Sequence, residues 1–208
     1  EEVPGAAYAV DEGLGVGARE AALTGLREED LRDVCHDRIL PWLIRGGSPT
    51  SPGAQRMSVE VGQEAPDFEV RDQFGQPVRL SSFRGEKNVV LVFYPLAFTP
   101  TCTGELCAIR DESSVFENDD TVVFGVSCDS PATLKVFAER EGYEFSLLSD
   151  FWPHGEVSRA YGVFLEERGF PLRGTFIIDK DGIVRWSVVN SPADARSTAE
   201  YREALAAL

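Results

Sequence analysis

Val89-Val90-Leu91-Val92-Phe93-Tyr94 is an unbroken apolar run, and Pro95-Leu96-Ala97-Phe98-Thr99-Pro100-Thr101-Cys102-Thr103-Gly104-Glu105-Leu106-Cys107 follows it directly. A short apolar run without polar alternation fits a strand covered on both faces, the habit of parallel strands in α/β proteins. Two further runs share that character, Thr121-Val122-Val123-Phe124-Gly125-Val126-Ser127 and Thr175-Phe176-Ile177-Ile178. Asp179-Lys180-Asp181-Gly182 then reads as a turn, and Ile183-Val184-Arg185-Trp186-Ser187-Val188-Val189 as the returning strand of a hairpin. Helical stretches fit near 104–116, 131–141, 155–161 and 194–207. Strands alternating with helices, closed by a hairpin and a last helix, indicate a mixed α/β sandwich.

Working outward, the pattern weakens before Met57. Residues 1–17 show no hydrophobic period, and Ala18 to Ile44 carries a helical one through Leu23, Leu26, Leu31 and Val34. Pro41 interrupts it, and the Gly-, Ser- and Pro-rich stretch 46–53 reads as a linker. The expected organisation is a partly helical N-terminal extension over 1–56 and a densely patterned domain over 57–208. The bland reading of the extension is an appendage without a catalytic task, and Cys35 goes with it.

Composition excludes several classes of function. The net charge of −15 leaves no basic surface to track phosphates, so nucleic acid and anionic membranes are not expected partners. No apolar run reaches the roughly 20 residues that span a bilayer. No basic start followed by an apolar stretch and a small-residue cleavage site is present, so the expected compartment is the cytoplasm. The four cysteines, at 35, 102, 107 and 128, fit neither the disulfide framework of a small secreted domain nor paired zinc ligands. No metal and no bound cofactor are expected.

The chemistry concentrates where the first apolar run ends, at a strand's C-terminal end, the place where open α/β folds put their ligands. Thr99-Pro100-Thr101 offers capping hydroxyls and a rigid entry, which sets Cys102 in the first turn of the next helix. Unpaired backbone N–H groups and the positive end of the helix dipole there favour the thiolate, the nucleophilic form. Read from spacing alone, Cys102 serves equally well as a small buried apolar residue.

The same stretch resembles the active-site signature of the peroxiredoxins, P-x-x-x-T-x-x-C, through Pro95, Thr99 and Cys102. The resemblance covers roughly residues 58–208. Val61-Gly62-Gln63-Glu64-Ala65-Pro66-Asp67-Phe68 is similar to the family's opening, and Leu172-Arg173-Gly174-Thr175-Phe176-Ile177-Ile178-Asp179 to the segment that carries its active-site arginine. Ser149-Asp150-Phe151-Trp152-Pro153-His154-Gly155, with Tyr161-Gly162-Val163-Phe164, is similar to the alkyl hydroperoxide reductase E subfamily. The resemblance implies a thioredoxin-like fold and a peroxidase acting on hydrogen peroxide or organic hydroperoxides, with sulfur carrying both electrons. It implies Cys102 as nucleophile and Thr99 as hydrogen-bond partner of the thiol or the peroxide. Arg173 would stabilise the thiolate and the leaving oxygen, Glu105 would orient Arg173, and Pro95 would shield the thiol from water. A homodimer is implied, with a thioredoxin-like protein or a low-molecular-weight thiol as reductant.

Cys107 stands five residues after Cys102, the spacing of the resolving cysteine in bacterioferritin-comigratory (Q-type) peroxiredoxins, whereas the reductase E proteins usually rely on an outside thiol. Five helical residues rise about 7.5 Å and turn about 140°, so a Cys102–Cys107 disulfide requires the helix to unwind. Cys107 as a packed helix residue is the alternative. Cys128 reads as structural, and His154 as a loop residue. Two other functions use the same thiol: a redox sensor or holdase, and a general thiol–disulfide oxidoreductase. The latter usually carries C-x-x-C, which is absent from this sequence.

Overall fold

The computed structural model describes residues 59–208. Its strands are β1 (Glu69–Asp72), β2 (Pro77–Arg79), β3 (Asn88–Phe93), β4 (Thr121–Ser127), β5 (Ser146–Ser149), β6 (Phe164–Leu165), β7 (Phe170–Pro171), β8 (Arg173–Ile178) and β9 (Val184–Asn190). Its α-helices are α1 (Pro100–Asp111), α2 (Ser113–Phe116), α3 (Pro131–Glu141), α4 (Glu156–Ala160) and α5 (Thr198–Ala206). The extension expected over 1–56, with Cys35, lies outside the described residues.

Seven strands form one mixed sheet in the order β2-β1-β5-β4-β3-β8-β9. The quoted apolar run is its centre: β3 pairs parallel with β4 and antiparallel with β8. Side chains alternate across a strand, and here both halves are buried. Val90, Val92 and Tyr94 enter a core with Leu106 and Ile109 of α1, Leu134 and Phe137 of α3, and Tyr201 of α5. Val89, Leu91 and Phe93 enter a second core with Val157, Tyr161 and Phe176. Each such side chain contributes about 1.5–3 kcal/mol on burial, which holds β3 against both layers. Gly125 of β4 permits the close packing beside it, since a Cβ there would lie 2.7 Å from Leu147 Cδ2 and 3.3 Å from Tyr94 Cε1.

The three long strands and the β8–β9 hairpin fall where the sequence places them. Asp179 Oδ1 accepts the amides of Asp181 and Ile183 at 3.0 and 2.9 Å, which closes that hairpin. Two helix boundaries differ. The helix expected near 104–116 starts at Pro100 and divides at Glu112, whose φ of −109° and ψ of 28° leave the helical region. The last helix starts at Thr198 rather than 194, because the Ser197 side chain caps it by accepting the Ala199 amide. Strands β1, β2 and β5 were not expected. They are three or four residues long, too short for periodicity to register.

Candidate active site

Six residues separate the end of β3 from helix α1, which has Thr99 at its N-cap and Pro100 in its first turn. The intervening turn is held from β4's far end: Asp129 Oδ2 accepts the Ala97 amide at 2.8 Å. Phe98 in this turn has φ of 63°, a left-handed conformation that costs a non-glycine residue energy, and its ring packs on Phe137 at 4.8 Å. The Thr99 hydroxyl does not cap the helix as expected. It donates to the Leu96 carbonyl at 3.0 Å, so its oxygen is left as an acceptor. Pro95 is buried at the strand exit.

Cys102 falls in the first turn of α1 and is fully buried. Arg173, the first residue of β8, reaches it across the sheet, with Nη1 donating to Cys102 Sγ at 3.5 Å. The same nitrogen bonds Glu105 Oε2, while Arg173 Nε donates to the Pro192 carbonyl at 2.9 Å. Glu105 lies one helical turn after Cys102, on the same face.

Arg196 completes the cluster and has no precursor in the sequence reading. Its backbone N–H and Nε donate to Glu105 Oε1 at 2.7 and 3.0 Å, and Nη2 to Oε2 at 3.1 Å. Its Nη1 donates to the Gly174 carbonyl and Thr175 Oγ1 at 2.7 and 2.9 Å. Nothing local marks this arginine: it stands 91 residues from Glu105 in an irregular loop, and only the docking of that loop joins them.

All three charged side chains are buried, with 3% of Arg173, 7% of Glu105 and 1% of Arg196 exposed. Burial alone would raise the Glu105 carboxyl, but hydrogen bonds and positive charge from Arg196, with the charge of Arg173, hold it below the usual value. Two guanidiniums face one carboxylate, which leaves one positive charge over. Cys102 Sγ lies against it, and the cluster is neutral when that sulfur is a thiolate.

Cys102, Glu105 and Arg173 are therefore brought together as expected, with Pro95 and Thr99 on the turn beside them. Cys107 is not joined to Cys102. Both are free thiols, and Cys107 Sγ lies 3.7 Å from Tyr143 Oη. Cys128 sits just past β4, where burial and the neighbouring charges of Asp150 and Asp129 push its thiol up to about 12. His154 bonds the Gly169 carbonyl at 2.8 Å, a loop contact as expected. Among the described residues, no three His, Cys, Asp or Glu side chains converge as a metal ligand set.

The AhpC/TSA family profile matches residues 61–187. Alkyl hydroperoxide reductase E of Mycobacterium tuberculosis is 51% identical over 150 residues, covering 72% of this chain and 98% of that protein. A putative chloroplastic peroxiredoxin Q of Oryza sativa is 37% identical over 150 residues, covering 70% of this chain and 68% of its own. Among solved structures, Peroxidoxin BcpB of Mycobacterium tuberculosis superposes with a TM-score of 0.64 at 34% identity, over 72% of this chain and 98% of that one. The reduced 2-Cys peroxiredoxin of Plasmodium vivax gives 0.65 at 32% identity, over 71% and 80%. The fold is thus the thioredoxin-like one of the peroxiredoxins. The chain belongs to the AhpC/TSA family, the peroxiredoxins, and is a thiol-dependent peroxidase.

Proposed function

We propose that Cys102 is the peroxide-attacking nucleophile of this enzyme and that Arg173, Glu105 and Arg196 form the electrostatic frame around it. The thiolate attacks the terminal oxygen of ROOH, the O–O bond breaks, and the departing RO⁻ takes a proton to leave as alcohol or water. Sulfur is oxidised to sulfenic acid and the peroxide is reduced. Arg173 Nη1, already on the sulfur, donates to the oxygen on which charge develops. Thr99, its proton committed to Leu96, accepts from the thiol or from the protonated peroxide oxygen. Pro95 shields the thiol from bulk water.

Cys107 is the resolving thiol in this reading. It attacks the sulfenic sulfur, water leaves, and a Cys102–Cys107 disulfide forms, which a thioredoxin-like protein or a low-molecular-weight thiol reduces. The enzyme acts as a homodimer in the cytoplasm. Free thiols at 102, 107 and 128 suit a reducing compartment, and no helix among the described residues is long and apolar enough to cross a membrane.

The single observation that carries this reading is the buried Arg173 guanidinium, 3.5 Å from a fully buried sulfur at a helix start. Stopped-flow mixing with one equivalent of hydrogen peroxide, followed by steady-state turnover with a thiol reductant, tests it. Cys102→Ser abolishes both phases, while wild type consumes many equivalents. A wild type that oxidises once and stops would be a redox sensor instead. Peroxide consumption surviving in Cys102→Ser would remove Cys102 from its role.

A further inference from the structure

Tyr143 lies in the short connection between α3 and β5 and is buried, with 6% exposed. Gly142, at φ of 71°, ends α3 in the left-handed conformation and turns the chain so that the Tyr143 amide bonds the Ala138 carbonyl at 3.0 Å. The Tyr143 ring meets Phe137 edge-on and stacks on Phe145, both at 5.2 Å between centroids. Phe137 in turn carries Phe98 of the catalytic turn.

The hydroxyl is where this packing meets α1. Tyr143 Oη donates to the Thr103 carbonyl at 3.4 Å and lies 3.7 Å from Cys107 Sγ. With its single proton on Thr103, the oxygen accepts the Cys107 S–H. The Thr103 carbonyl is also the one that an α-helix offers to the amide of residue 107. Arg110 adds a second hold on the same flank by donating to the Glu141 carbonyl. The C-terminal end of α3 and the chain just after it thus grip α1 at 103, 107 and 110, around the stretch that must unwind before Cys107 can reach Cys102.

We propose that Tyr143 is a positioning residue: its hydroxyl latches the first turns of α1 in the wound state, and so sets how fast Cys107 reaches the Cys102 sulfenic acid. The inference rests on the reading of Cys107 as the resolving thiol. In the wound state Cys107 is parked against Tyr143, and peroxide reacts at an intact helix start. Release of the hydroxyl from Thr103 and Cys107 accompanies unwinding, after which the thiol displaces water from the sulfenic sulfur.

Tyr143→Phe keeps the ring and removes only the latch. Wild type, Tyr143→Phe and Cys107→Ser are mixed with one equivalent of hydrogen peroxide, quenched with an alkylating agent at intervals and mapped by mass spectrometry. Amide hydrogen exchange over 103–107 is measured on the reduced proteins in parallel, as a readout of winding that does not depend on chemistry. Oxidation of Cys102 stays within twofold in Tyr143→Phe, while disulfide formation and 103–107 exchange both accelerate about three- to tenfold, the weight of a modest hydrogen bond. Unchanged or slower disulfide formation in Tyr143→Phe, in a wild type that forms the disulfide, overturns the latch alone. A wild type that forms no Cys102–Cys107 bond overturns the resolving role of Cys107, and the latch falls with it.

Discussion

Cys102 and Cys128 both follow the C-terminal ends of neighbouring parallel strands, β3 and β4, and both are buried, at 0% and 7% exposed. Solvent access does not separate them. Their charged neighbours do: Cys102 meets the surplus positive charge of the Arg173–Glu105–Arg196 cluster, whereas Cys128 lies near the carboxylates of Asp150 and Asp129. Burial alone raises a thiol, and nearby negative charge raises it further. Two thiols at the C-terminal ends of adjacent strands thus meet charge of opposite sign, and Asp129 serves both sites by also holding the turn that leads to Cys102. Burial of a cysteine says little about its reactivity until the sign of the adjoining charge is known.

The comparison breaks first on labelling. Held at about 12 against an ordinary 9.0, Cys128 presents about a thousandfold less thiolate near pH 8 than a free thiol, so iodoacetamide labels Cys102 and leaves Cys128 intact in peptide maps of the native protein. Equal labelling of the two would end the contrast. Second, Glu105→Gln leaves two buried guanidiniums without their carboxylate, and the urea midpoint drops by an amount equivalent to about 3 kcal/mol. The same group gives a pH signature. Its folded value lies below the usual 4.5, so its contribution is complete above about pH 4.5 and is lost as pH falls through the lowered value. Glu105→Gln flattens that acid limb in urea titrations.

Third, Arg173→Gln removes the donor on the sulfur and slows Cys102 oxidation by peroxide about a hundredfold, read by stopped flow. Cys128→Val, on the other side of the comparison, leaves that rate within about twofold. A further effect is on alkaline stability. Because folding raises the Cys128 thiol from 9.0 to about 12, the stability it contributes is complete below pH 9 and is lost as pH rises through 12. Thermal denaturation between those values falls less steeply in Cys128→Val than in wild type.

The legibility of these features in the sequence followed the range of the interactions that make them. Val89–Tyr94, Pro100 and the Asp179–Gly182 turn act through neighbours in the chain, and strand, helix start and hairpin were readable from them. Pro95, Thr99, Cys102 and Glu105 lie within eleven residues, so one motif gathers them. Arg173 was found only because its segment resembles the family's. Thr99 was legible as the N-cap position but not in its hydrogen bond, since the choice between an amide and the Leu96 carbonyl depends on the exact turn. β1 and β5 escaped because sheet pairing, rather than their own composition, makes them strands.

By itself the sequence determined a mixed α/β core, a thiol at a helix start and a family resemblance. Each rests on local periodicity, a cap and a motif, which are short-range properties of a chain. Tertiary structure alone decided which thiol the positive charge would meet. It brought Arg196 to Glu105 across 91 residues, set Asp150 and Asp129 near Cys128, and laid Tyr143 over Cys107. Electrostatics and hydrogen bonding depend on distance through space, and no spacing along the chain encodes that distance.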